Sequence, residues 1–158
     1  MSEEYIQPRP TVNVDENAVK EASDAVARFV GELQAGWDQH DAEITDRRLA
    51  ADVAWGSPFG ATVYGYDQLH AIHVKLKKES KGGCSSQFEV VRVLVPAPGV
   101  AVAHVRRLAL QPHGQPVEPR SATSGIFSEM ALYVLVRRNG TWWVAAGQNT
   151  PILPGGEV

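Results

Sequence analysis

The stretch ALYVLVRRNGTWWVAAGQNTP, residues 131–151, decides the fold. Residues 131–136 are apolar strand formers, 137–141 carry Asn139-Gly140, and 142–146 resume the apolar pattern, so the segment predicts a β-hairpin. Alternation along its second strand predicts Trp142, Val144, Ala146 and Gln148 on one face and Trp143, Ala145, Gly147 and Asn149 on the other. Gln148 then ends an apolar row. Burying its amide unpaired costs about 1–3 kcal/mol, so the pattern predicts hydrogen-bond partners or a wet cavity there.

Working outward, 158 residues suit one domain with a real core. Hydrophobic residues at 44% and charged residues at 21% exclude a disordered chain. A net charge of -3 argues against a nucleic-acid partner, and the basic run Lys75, Lys77, Lys78 and Lys81 reads as the solvated end of a helix. Cys84 is the single cysteine, which excludes an internal disulfide and a thiolate metal cluster. The first residues are acidic and polar, and no run is long and apolar enough to span a bilayer, so the expectation is a cytoplasmic protein with no membrane partner.

In chain order, residues 1–14 hold Pro8 and Pro10 and predict a flexible arm, followed by a single domain over 15–153 and a tail over 154–158. Asp15 caps a predicted helix to about Gln39, with Val19, Ala22, Val26, Phe29, Val30, Leu33 and Trp37 at helical spacing. Asp41 caps a short second helix to about Leu49. Residues 53–59 and 62–64 predict a short hairpin. Asp67 then caps a third helix to about Glu79, with Leu69, Ile72, His73 and Leu76 inward and His70, Lys77 and Lys78 outward. A loop with Gly82-Gly83 follows, and strands are predicted over 87–95, 100–110 and 124–136, with a long polar connection over 111–122. Helices gathered on one side of a curved antiparallel sheet make an α+β domain.

Three segments carry a family resemblance: GELQAGWDQHDAE in the first helix, VYGYDQLHAIHVKL entering the third, and the NGTWWVAAGQNTP ending. Over residues 17–152 the chain resembles the SnoaL-like branch of the nuclear-transport-factor-two-like (NTF2-like) superfamily, and more narrowly its SgcJ/EcaC-type members. Members of the family commonly end in Ala-x-His-Asn-Thr, whereas Gln148 stands before Asn149-Thr150 here. The resemblance implies a cone-shaped half-barrel, a curved antiparallel sheet wrapped around three helices, with a deep cavity at the wide end. It also implies a homodimer, no cofactor, and a hydrophobic small-molecule ligand such as a polyketide-like natural-product intermediate.

Candidate chemistry falls on polar residues facing such a cavity. His73 matches a recurrent third-helix histidine of the family, and its near-neutral pKa class suits proton transfer; the alternative is a satisfied core imidazole. His104 and Arg106 share a strand face with Val102 and Leu108; on a concave face they would move a proton and bind a carbonyl, on a convex face they would be surface groups. Gln148 is the other candidate carbonyl-polarising group. Trp37, Trp55, Phe59, Tyr64, Met130 and Leu132 are candidates for an apolar wall around a ring-bearing ligand. Glu129 and Tyr133 are predicted to point outward, with Tyr133 and Trp143 on a dimer surface. His70 and His73 on diverging faces with no carboxylate at ligand spacing predict no metal site. Two functions fit: an isomerase, cyclase or dehydratase working without a cofactor, or a carrier that sequesters the same kind of ligand.

Overall fold

The computed structural model describes residues 7–80, 85–119 and 126–155. Gly82, Gly83, Cys84, Ala122 and Ser124 fall outside them. Helix α1, Glu16–Asp38, starts where the Asp15 carboxylate accepts the Ala18 N–H at 2.9 Å. Its apolar stripe buries Ala22, Val26, Phe29, Val30 and Leu33 against the sheet. Full burial of each of the four larger side chains stabilises the fold by about 1.5–3 kcal/mol. Helix α2, Ala42–Thr45, is capped by Asp41. It ends at Asp46, and strand β1, Leu49–Gly56, starts earlier than residue 53. Strand β2, Thr62–Tyr64, precedes helix α3, Tyr66–Glu79; its cap is Gly65, at φ 93°, in place of Asp67.

Strands β3 (Ser85–Ala97), β4 (Val100–Leu110), β5 (Glu129–Arg138) and β6 (Thr141–Pro151) follow. They join β1 and β2 in one open, curved sheet of order β2-β1-β6-β5-β4-β3, antiparallel except where β1 runs parallel to β6. The fold is thus the expected α+β half-barrel with one parallel pairing. The β5–β6 hairpin turns at Asn139 and Gly140, both with positive φ (51° and 77°), as a two-residue turn matched to strand twist requires. Helix α1 packs on β3 and β4 and helix α3 on β1 and β2, so the helices cover one face of the sheet. Asn13 and Val14 tie the segment before α1 to β3 through Val95.

A bulge corrects the predicted alternation. Val134 pairs with Ala146 but Leu135 pairs with Val144, which leaves Ala145 as an extra residue in β6. Beyond it every side chain changes face. Trp142 and Val144 are buried under the helices, and so is Gly147, while Gln148 turns to the convex face with Leu132 and His104 across the ladder. On the helix side a row runs through Val63, Trp55, Gly147, Tyr133, Ala103 and Val93. Tyr133 is 4% exposed and packs edge-on against Phe29 at 5.1 Å, so the expectation that Tyr133 and Glu129 point outward is overturned.

Candidate functional site

Helix α3 presents a face that its apolar pattern does not predict. Leu69 is buried and His73 points inward, but Ile72 and Leu76 are exposed. Tyr66, His70, His73 and Lys77 make the inward stripe at spacings of four, three and four. The cause is a buried carboxylate. Asp46, 1% exposed at the end of α2, accepts from His73 Nδ1 at 2.7 Å through Oδ1 and from His70 Nδ1 at 2.8 Å through Oδ2. The Thr45 hydroxyl adds a longer bond at 3.3 Å, and His70 Nε2 meets Glu43 Oε1 at 2.9 Å. Two imidazoles, predicted on diverging faces, thus converge on one acceptor.

With Nδ1 bound to Asp46, Nε2 is the ring nitrogen of His73 turned away from the carboxylate. Among the described residues Nε2 has no hydrogen-bond partner, and the side chain is 21% exposed, so solvent reaches it. The imidazole stands edge-on to Trp55 at 5.5 Å, and Trp55 lies 5.8 Å from the Tyr133 ring. Burial pushes the Tyr133 phenol well above its ordinary pKa, so it stays a hydrogen-bond donor. Gly147 makes this trio possible, because a Cβ there would come within 2.6 Å of Trp55 and 3.1 Å of Tyr133.

A second cluster lies one helical turn beyond His73. Lys77 Nζ and the Arg107 guanidinium both sit over the Trp37 ring, at 4.6 and 4.7 Å, and Trp37 meets Phe88 at 5.8 Å. Arg107 is fully engaged: it binds Glu129 at 2.7–2.8 Å, Ser86 Oγ at 3.0 Å and the Phe127 carbonyl at 3.0 Å. Burial lowers the Lys77 pKa, against the pull of Asp46 and Asp41. Lys77, predicted outward, is therefore half-buried.

The other sequence candidates are not brought together. His104 is exposed on the convex face, where Arg106 meets Glu89 at 3.4 Å; it is Arg107 that faces the helices. Met130 and Leu132 share that convex face. Gln148 is exposed there and donates to the carbonyls of Ser57 and Asn149 at 3.3 and 3.1 Å. Phe59 is 65% exposed with its ring 5.6 Å from Phe127, and Tyr64 is 67% exposed at the sheet edge. Of the predicted wall, Trp55 touches His73 and Trp37 stands beside Lys77.

The space between helices and sheet is packed at the level of Phe29, Trp55 and Tyr133, where a hollow was expected. An open cleft of about 680 Å³ lies between the α1–α2 turn and α3, lined by Asp41, Glu43, Val74, Lys77 and Lys78 among others. A narrow pocket of about 110 Å³ lies at the opposite end, by Arg28, Arg48 and Trp142. Among the described residues no cluster of three metal-ligating side chains has metal geometry, and no helix is long and apolar enough to cross a membrane.

No family model matches the sequence, and no curated protein does. Solved structures do. A domain of unknown function with a cystatin-like fold from Nostoc punctiforme PCC 73102 superposes with a TM-score of 0.70 at 17% identity, over 82% of this chain and 76% of that one. An NTF2-like protein of unknown function from Pseudomonas putida KT2440 gives 0.63 at 16% identity, over 84% and 87%. The fold is NTF2-like. A ketosteroid isomerase-like protein from Erwinia carotovora atroseptica SCRI1043 shares this NTF2-like fold, with a TM-score of 0.63 at 12% identity over 85% and 98%. Identities this low establish the NTF2-like architecture and leave the chemistry to the residues.

Sequence reasoning missed Asp46 and Arg107 and set Tyr133 on the wrong face of its strand. The spacing of His70 and His73 was the available signal for the first, since residues three apart on a helix are neighbours able to share an acceptor.

Proposed function

We propose that the chain is a cofactor-independent proton-transfer enzyme of the isomerase, cyclase or dehydratase type, acting on a hydrophobic, ring-bearing small molecule. The observation that carries this is the Asp46–His73 pair: a buried carboxylate fixes Nδ1, and Nε2 is left as base beside the Trp55 ring. No second group is assigned to the carbonyl, since Gln148 and Arg106 lie on the convex face and Tyr133 is buried in the packed core beside Trp55. A polyketide-like intermediate of natural-product biosynthesis, as in SgcJ/EcaC-type proteins, is the proposed substrate class, and the cytoplasm the proposed compartment.

The carrier reading is favoured by a specific observation: Gln148, His104 and Arg106 all leave the site, and His73 is the one imidazole beside Trp55. His73→Ala separates the two. An enzyme loses turnover and keeps most of its ligand affinity; a carrier loses neither function nor flux through the pathway it serves. Native mass spectrometry of protein purified from its own cells identifies the ligand in either case. A second copy is the proposed partner of the convex face, where Val102, Met130, Leu132, Val134, Val136 and Trp143 lie on the side without helices.

A further inference from the structure

His70 lies between two carboxylates, Asp46 Oδ2 at 2.8 Å from Nδ1 and Glu43 Oε1 at 2.9 Å from Nε2. An ionised carboxylate only accepts hydrogen bonds, so both ring nitrogens must donate, and an imidazole with two N–H groups is a cation. The ring also stacks on Tyr66 at 5.2 Å with an interplanar angle of 10°, which holds it in the plane that serves both acceptors. Its side chain is 17% exposed, Asp46 is 2% exposed at the side chain, and Glu43 is 76% exposed. The cation is thus anchored from inside by a buried group and from outside by a solvated one.

This geometry has a consequence for His73. Asp46 is buried, and a buried carboxylate needs a compensating positive charge. Were His73 its only imidazole partner, that charge would fall on His73. A doubly protonated His73 has no lone pair at Nε2 and cannot accept a proton. We propose that His70 is a standing imidazolium counter-ion to Asp46, a positioning residue that leaves His73 as the Nδ1–H tautomer with Nε2 as acceptor. Its purpose rests on the proton-transfer reading of His73; its protonation state does not.

The charged and titratable groups facing His70 support the assignment. From α2 these are Glu43 and Asp46, both anionic partners; from α3 they are Tyr66, stacked on the ring, and His73, which shares Asp46. Tyr66 is kept protonated by burial and by the charges of Glu43, Asp46 and Asp67. Lys77 lies farther along α3 and acts on Asp46. Burial alone would lower the His70 pKa, but the hydrogen bonds to Asp46 and Glu43 outweigh it and raise it above its ordinary value.

The test is side-chain nitrogen NMR of the 15N-labelled full chain at about pH 7, where an unperturbed imidazole is mostly neutral. Wild type should show His70 with two protonated nitrogens and His73 with Nδ1 protonated and Nε2 free. In His70→Gln the second proton should appear on His73 at the same pH. Glu43→Gln, at an exposed position that leaves the fold intact, should lower the pH at which His70 loses its proton. A neutral His70 in wild type, an unchanged His73 in His70→Gln, or an unmoved His70 titration in Glu43→Gln overturns the proposal. A cationic His70 in a protein without proton-transfer activity upholds the counter-ion and removes the enzyme reading; a neutral His70 in an active protein does the reverse.

Discussion

Replacing Asp46 by alanine should destabilise the protein by about 3–5 kcal/mol, the cost of breaking a buried ionic pair by removing one partner. The structure supports a value in that range. Asp46 is 1% exposed and accepts two short bonds from imidazoles, at 2.7 and 2.8 Å. Each hydrogen bond to a charged group is worth about 1.5–3 kcal/mol, so the two together give about 3–6 kcal/mol before relaxation. Part of the loss is recovered because water can reach His70 and His73, whose side chains are 17% and 21% exposed. Urea unfolding followed by tryptophan fluorescence measures the effect, since Trp55 lies against His73. With a denaturant slope of about 2 kcal/mol per molar, a loss of about 4 kcal/mol moves the midpoint down by about 2 M. A domain from the middle or upper part of the usual range of about 5–15 kcal/mol keeps a transition that can be measured. A loss under about 1 kcal/mol would mean that Asp46 does not organise the two histidines, and the tautomer argument for His73 would fall with it.

Gly147→Ala should cost about 1–3 kcal/mol by overpacking, because the new Cβ meets two aromatic rings, whereas at Gly56 its nearest neighbours are atoms of the flexible Gln148 side chain and Gly56→Ala should cost less in the same urea assay. Arg107→Leu should cost about 3–5 kcal/mol by stranding Glu129, whose side chain is 14% exposed, while Arg106→Leu on the convex face should stay within about 0.5 kcal/mol; equal effects would refute the face assignment. Because the folded state raises the His70 pKa, folding favours its protonated form. The stability advantage of wild type over His70→Gln should be full below the unfolded value of about 6.5 and disappear as pH rises through the folded pKa, read from unfolding midpoints across that range; an advantage that grows with pH would contradict it. Leu132→Glu should turn a dimer into a monomer in sedimentation runs if a second copy covers the convex face; a wild-type monomer removes that partner.

Local rules made much of the fold readable. Asn139-Gly140 announces its turn because few residues other than glycine and asparagine tolerate positive φ, and Asp15 announces its helix because its carboxylate satisfies an otherwise open N–H. The site was less readable because its determinants are not local. The extra residue Ala145 reverses the faces of Gly147 and Gln148, and its position is set by pairing with β5, not by any glycine or proline. Arg106 and Arg107 are identical neighbours on opposite faces of a strand, so which one meets Trp37 depends on the face that the helices cover. On α3, apolar Ile72 and Leu76 outbid His70 and Lys77 in any hydrophobic pattern. The pattern cannot register a carboxylate 24 residues from His70 and 27 from His73 that draws the polar stripe inward.

Isomerisation, cyclisation and dehydration of a carbonyl compound share one elementary event, removal of a proton next to the carbonyl, and that event is measurable without the natural substrate. The direct test follows hydrogen–deuterium exchange at the acidic positions of 2-tetralone, a ring-bearing ketone, by NMR in deuterated buffer. Wild type should exceed the buffer rate by about 10²–10⁴-fold, the usual yield of a positioned acid/base group, and His73→Gln should return it to the buffer rate while remaining folded. Exchange by wild type no faster than buffer, or undiminished in His73→Gln, would contradict the assignment of His73 as the base.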